Sequence, residues 1–268
     1  MKKLSYLTAT VLTMFLFLSS ASAHDLWLLP DSKPKVGKPV VILAKHGMDF
    51  PKGTAGLDTT KIPHRILIGP DGKETPLEAA GRLDKWGLLR FEPAMPGIYL
   101  AGVETNPRIY EADAEKFNYY LAVDGLTHIY ELRWKEKSLD QPARELYIKS
   151  PKVIIKVGQE GGGDPSCVLG LPLEIVPQRD PFALQIGDTL SVRVLFRGKP
   201  LADANLGWDH PREGELPIGT VRTNQKGEAL IPIARTGLMT IRMIHMTRPK
   251  TKDYEWESFF TTLTFEIP

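Results

Sequence analysis

The residues of this chain best suited to chemistry are histidines, and three of them stand out by position. His24 follows the small-residue step Ala21-Ser22-Ala23 at the end of an apolar run. A cut after Ala23 makes it the first residue, with a free α-amine beside an imidazole. The amine and Nδ1 then close a six-membered chelate ring on one metal ion, and a nitrogen pair of this kind suits Ni²⁺ or Cu²⁺. The amine has a reference pKa of about 7.7–8.0, so a metal competes with the proton near neutrality. His245 lies in "LMTIRMIHM", where period-two alternation sets it on one face with Ile241 and Met243. Met239, Met243 and Met246 cluster around it, and Met with His suits a soft ion such as Cu(I). His46 follows the apolar run Val40 to Ala44 and opens the loop "HGMDFP", a strand end of the kind where ligands often sit. His210, in Asp209-His210-Pro211, reads as a surface turn, and His64 and His128 have no context that favours a role. No pair has the spacing of a local metal motif. The candidate metal ligands are therefore His24, His245 and His46, and the fold must bring them together.

Other chemistries find little to build on. There is one cysteine, Cys167, so no internal disulfide is possible, and it reads as buried filler. No Gly-x-Ser-x-Gly elbow is present. The glycines of "GQEGGGDP" lack the Gly-Lys-Ser/Thr ending of a phosphate loop. The carboxylates are scattered and the tryptophans read as core, so no catalytic residue is assigned and the chain is read as a non-enzyme. A copper-dependent oxidase built on a terminal His and a second His is the enzymatic alternative.

The elements that must position these residues are mostly strands. Residues 1–23 have Lys2 and Lys3, an apolar run and the Ala21-x-Ala23 step, the pattern of a secretory signal peptide. The run is shorter than the ~20 residues of a membrane span. Export to the periplasm or beyond, with no span after cleavage, is the expectation. The chain has 34 basic and 32 acidic side chains, and loss of Lys2 and Lys3 equalises them. A neutral chain has no electrostatic drive toward nucleic acid or an anionic membrane.

Short apolar runs at Val40–Ala44, Arg65–Ile68, Leu88–Phe91 and Ile98–Val103 are punctuated by Pro-Asp-Gly and Met-Pro-Gly turns. "TLSVRVLF" alternates with period two. "TNQKGEALIPI", "LMTIRMIHM" and "FFTTLTFEI" supply later strands. Glu111 to Glu136 instead has helical spacing in Phe117, Tyr120, Leu121, Ile129 and Leu132, with Asp124-Gly125 splitting it into two short helices. The expected fold is mainly β. It has two Ig-like β-sandwich domains, 24–157 and 173–268, joined by a Gly/Pro-rich linker at 158–172, with the helical insertion near 111–136 in the first.

Segments across nearly the whole chain after the leader carry a family resemblance. They are "AHDLWLLP", "FNYYLAVDGL", "PARELYIKSPKVIIKVG", "GLPLEIVPQRDPFAL", "GDTLSVRVLFRGKPLADANL", "TNQKGEALIPIARTG" and "WESFFTTLTFEI". The chain resembles an exported family whose members are often labelled nickel or cobalt uptake transporter periplasmic components. The resemblance implies a β-rich protein that binds a transition-metal ion, Ni²⁺ or Co²⁺ with Cu as an alternative. It also implies an inner-membrane metal transporter as partner. It carries over two residues, the post-leader His24 and the late-strand His245. The competing reading is a non-catalytic Ig-like module that grips a glycan or a protein partner.

Overall fold

The computed structural model describes residues 24–209 and 218–268. The leader assigned to 1–23 and the turn assigned to His210 lie outside the described residues. Strands β1 (Asp25–Pro30), β2 (Val40–Gly47), β3 (Ala55–Gly56), β4 (His64–Ile68), β5 (Glu78–Leu83), β6 (Trp86–Phe91) and β7 (Gly97–Glu104) come first. Then follow β8 (Arg108–Ala112), α1 (Ala114–Val123), α2 (Thr127–Lys135), β9 (Ala143–Lys149) and β10 (Lys152–Val157). The rest is β11 (Leu173–Pro177), β12 (Thr189–Phe196), β13 (Lys199–Pro200), β14 (Asn205–Asp209), β15 (Ile218–Arg222), β16 (Glu228–Pro232), β17 (Gly237–Thr247) and β18 (Trp256–Ile267).

The fold is the expected mainly-β sandwich arrangement. A first sheet runs β1-β2-β6-β5, with β3 beside β2. A nine-stranded sheet runs β15-β14-β17-β18-β10-β7-β4, with β9 beside β18 and β8 beside β9. A third sheet holds β11, β12, β13 and β16. The first sheet packs on β4, β7 and β10 through Leu26, Leu28, Ile42, Leu89, Tyr99 and Val153. The third packs on β17 and β18 through Leu190, Val192, Val194, Ile241, Met243 and Phe259. The alternation of "TLSVRVLF" is kept: Leu190, Val192 and Val194 are buried while Ser191 and Arg193 are half-exposed.

The stretch at 158–172, expected as a linker, lies along β7. Ile98 N–H donates to Gly162 O at 2.8 Å, and Leu169 and Leu171 are buried in the same core as Ile98 and Leu100. The nine-stranded sheet runs through both halves of the chain. β18 pairs in parallel with β9 through its first residues and with β10 further on.

The helical insertion splits where expected. α1 begins at Asp113, whose carboxylate accepts from Lys116 N–H at 2.9 Å, and Gly125 sits at φ +72 between the helices, a conformation that favours glycine. Phe117, Tyr120, Leu121 and Ile129 bury their helical stripe against Met246, Trp256 and Phe260. β9 follows the helices before β10, a strand the sequence pattern did not separate from its neighbour. No helix among the described residues is long and apolar enough to cross a membrane.

Candidate functional site

Alternation along β17 and β18 divides their sheet into two chemically different faces. Met239, Ile241 and Met243 point into the core with the third sheet. Arg242, Ile244 and Met246 point the other way, toward the start of β1 and the two helices. The start of β1 is held on this second face by three polar contacts. Lys149 Nζ donates to the His24 carbonyl. Arg242 Nη1 bonds Asp25 Oδ2 at 2.7 Å, and Thr262 Oγ1 donates to the Leu26 carbonyl at 2.7 Å.

These contacts belong to a buried polar cluster. Glu145, Tyr147 and Lys149 alternate along one face of β9. Glu145 accepts hydrogen bonds from Ser258 Oγ and from Tyr120 O–H, the latter at 3.3 Å, while its Oε2 is buried without a hydrogen-bond partner. Burial pushes the Glu145 carboxyl up to about 7. Burial holds the Lys149 ammonium down to about 8, against the pull of Asp25 and Glu145. Asp124, which caps the C-terminus of α1, is also pushed up to about 7, first by burial and then by the Asp25 charge. In each case removal from water disfavours the charged form.

The three proposed ligands divide between the faces. β1 and β2 are antiparallel with Leu26 opposite His46. His24 precedes the first pair of the ladder, Asp25 with Gly47; strand alternation continued by one residue puts it on the side of His46, and its charge acts on the His46 ring. Burial holds the His46 imidazole down to about 3, with Lys149, then His24 and Arg108, adding to the effect. The ring is therefore neutral at pH 7, the form that can donate to a metal. His245 is elsewhere. It pairs with Phe259, meets the Phe196 ring edge-on at 4.5 Å, and shares the face of Ile241 and Met243 rather than that of Arg242. Burial holds its imidazole down to about 4, with His128 and Arg197 contributing. The sheet itself thus separates His245 from the start of β1, while His24 and His46 come together.

As a donor set, the His24 and His46 imidazoles fit a nitrogen-preferring ion when the α-amine of His24 is the third nitrogen. The nearby cations Lys149 and Arg108 oppose a positive charge at His46, and Asp25 and Glu145 act on Lys149 in the opposite sense. Among the described residues no group of three or more His, Cys, Asp or Glu side chains is arranged to hold a metal. Sequence reasoning missed the charged residues of this cluster. In the sequence Asp124-Gly125 signals only a helix break, and the Glu-x-Tyr-x-Lys alternation of 145 to 149 is the one pattern that points to the cluster.

Fold and site together define a multi-sheet β-sandwich protein with a buried acid–base cluster beneath its helical insertion. The chain belongs to the family described as "Domain of unknown function (DUF4198)", which matches residues 21–247. No curated protein matches it. Among solved structures it is similar to a tetra-tandem repeat from the extending region of a large adhesion protein, at 10% identity over 91% of this chain and 49% of that one, with a TM-score of 0.24. It is also similar to Salmonella alpha-2-macroglobulin reacted with methylamine, at 10% identity over 91% of this chain and 15% of that one, TM-score 0.25. A third is a DUF4785 family protein from Legionella pneumophila, at 11% identity over 79% and 49% of the two chains, TM-score 0.22. The chain thus spans about half the length of the first and third and a small part of the second.

Proposed function

We propose that this chain is an exported protein that binds one transition-metal ion, Ni²⁺ or Co²⁺ with Cu as the alternative, and passes it to an inner-membrane importer. The ion is held by the α-amine and imidazole of His24 and by the imidazole of His46. The reading is carried by the β1–β2 register, in which His46 faces Leu26 two residues after His24, together with the proximity of the His24 charge to the His46 ring. It is supported by the neutral state of His46 and by the half-buried position of His24, open enough for an ion to enter and leave. His245 is not part of this set.

The experiment is a calorimetric titration of Ni²⁺ into the protein with its native His24 terminus and into the same protein with one extra residue ahead of His24. The extra residue converts the amine to an amide and weakens binding at least about tenfold, and His46→Ala does the same. Equal affinity in the two forms removes the terminal chelate from consideration.

One observation favours a second reading, an Ig-like module that grips a protein partner. Tyr119 and Val123 on α1, and Tyr130 and Trp134 on α2, are each spaced one turn apart and are exposed. Under this reading Trp134→Ala and Tyr119→Ala abolish partner capture and leave Ni²⁺ affinity unchanged.

A further inference from the structure

A cleft next to the cluster is not used by a histidine-based metal site, and its lining has a chemistry of its own. About 280 Å³ lies between the last turn of α1 and strands β14, β15 and β17. Its polar lining comes from Asp25, Asp124, Asn205, Thr220 and Arg242, and Val123 and Ile244 supply an apolar wall. That volume is many times the ~30 Å³ share of one water molecule, so the space suits a small organic molecule rather than a bare ion.

The charges in the lining do not balance. Arg242 and Asp25 bond each other at 2.7 Å and cancel. Asp124 is left over. It caps α1 with its backbone N–H bonded to Tyr120 O, and its side chain makes no hydrogen bond or ion pair among the described residues. It stands where the final carbonyls of the helix already concentrate negative potential. It is half-buried and faces the Asp25 charge as well. Desolvation, the Asp25 charge and the helix dipole act against this carboxylate and outweigh the pull of Arg242 and Lys149, and a bound cation in the cleft offsets them.

The surroundings are kept tight and open at particular points. A Cβ on Gly125 would stand 2.3 Å from Asn205 Nδ2, so the helix turn presses directly on β14. A Cβ on Gly207 would stand 3.4 Å from Arg242 Nε, so the Arg242 side chain lies directly over β14.

We propose that this cleft binds a small organic ammonium ion. Its N–H groups donate to the Asp124 carboxylate, and the Asn205 amide and Thr220 hydroxyl meet the polar groups at its other end. Its methylenes lie on Val123 and Ile244. One uncommitted carboxylate with an amide and a hydroxyl suits an N–H donor with a polar tail. It does not suit a metal ion, which needs several ligating side chains.

The test is a ¹H–¹⁵N NMR titration of the intact chain with ethanolamine, with ethylene glycol as the uncharged counterpart. Ethanolamine is expected to shift the amides of Gly125 and Gly207 and the side-chain amide of Asn205, and ethylene glycol is expected to leave them in place. Asp124→Asn weakens ethanolamine about tenfold, the effect of losing one charge-assisted hydrogen bond. The same substitution raises the melting temperature, whereas a residue kept for structure would lower it on replacement. Thr220→Val, on the opposite wall, weakens binding severalfold with Asp124 intact. The proposal is overturned by absent shifts with ethanolamine in large excess, by equal affinity of Asp124→Asn, or by the same shifts from Ni²⁺ alone.

Discussion

His245 looks like a ligand in one dimension and is a half-buried ring packed beside the core in three. Its methionine neighbours are what suggest a soft-metal site. Met239 and Met243, however, are buried in the sandwich core, and Met246 is buried on the opposite face under the helices. The imidazole sits against Phe196 at 4.5 Å and is held down to about 4, first by burial. The unfolded chain binds a proton near pH 6.5, and the folded chain resists it until about pH 4. The stability associated with this neutral ring is therefore fully present above pH 6.5 and lost as pH falls toward 4. His245→Leu is expected to remove that loss, up to about 3 kcal/mol by pH 4, as read from urea unfolding at pH 7 and pH 4. Its Ni²⁺ affinity stays at the wild-type value. An unchanged acid sensitivity would show that another group carries it. Glu145 and Asp124, both raised to about 7, act with the opposite sign: their stability is fully present below about pH 4 and lost as pH rises through 7.

At the scale of elements, strands were legible as period-two runs where one face is wet, as in β12, and as short apolar runs bounded by glycine turns, as in β7. The helix pair was legible from its stripe of Phe117, Tyr120, Leu121 and Ile129. β1 was not, because "DLWLLP" is buried on both faces and so reads as a continuous apolar run after the leader. β9 was missed for the converse reason. Its Glu145 and Lys149 suggest a solvated face, and only the packing of α1 over β18 puts them under cover.

The segment at 158–172 presents the same difficulty. Its glycines signal irregular backbone, but nothing local shows that Glu174 fixes it. That carboxylate accepts from Leu169 N–H at 2.8 Å and from Gly170 and Leu171 N–H, and pairs with Lys152 Nζ at 2.7 Å. Both side chains are 1% exposed. Lys152→Met strands this carboxylate and is expected to cost about 3–5 kcal/mol by urea unfolding. Glu174→Gln keeps one acceptor oxygen and is milder. Replacing both with Met and Leu does not restore stability, as it often does for a buried pair, because the three N–H groups are left without an acceptor. Full recovery in the double variant would mean that those N–H groups find other partners.

At the scale of the whole molecule, the central sheet ties the two sandwiches to each other. β9 and β10 belong to the first half of the chain, yet their neighbour in the sheet is β18, the last strand. Ile98, Leu100 and Ile154 project into the core built with Leu173, Ile175 and Phe265 of the second half. In a chain ending at 157 these three side chains meet water, and each forfeits roughly 1.5–3 kcal/mol of burial. The same truncation leaves β9 and β10 with an open edge and removes Thr262 from the Leu26 carbonyl and Arg242 from Asp25. Domains of this size have stabilities of only about 5–15 kcal/mol, so losses of this order remove the folded state. Residues 24–157 expressed alone are therefore expected to give a collapsed amide spectrum and no cooperative melt. The intact chain is expected to unfold in a single transition, with tryptophan fluorescence and far-ultraviolet circular dichroism tracing one curve. A dispersed spectrum with a cooperative melt from the fragment would show that the first sandwich stands without β18. In that case the start of β1, with His24 and His46, would be positioned by the β1–β2 ladder and the first sheet alone.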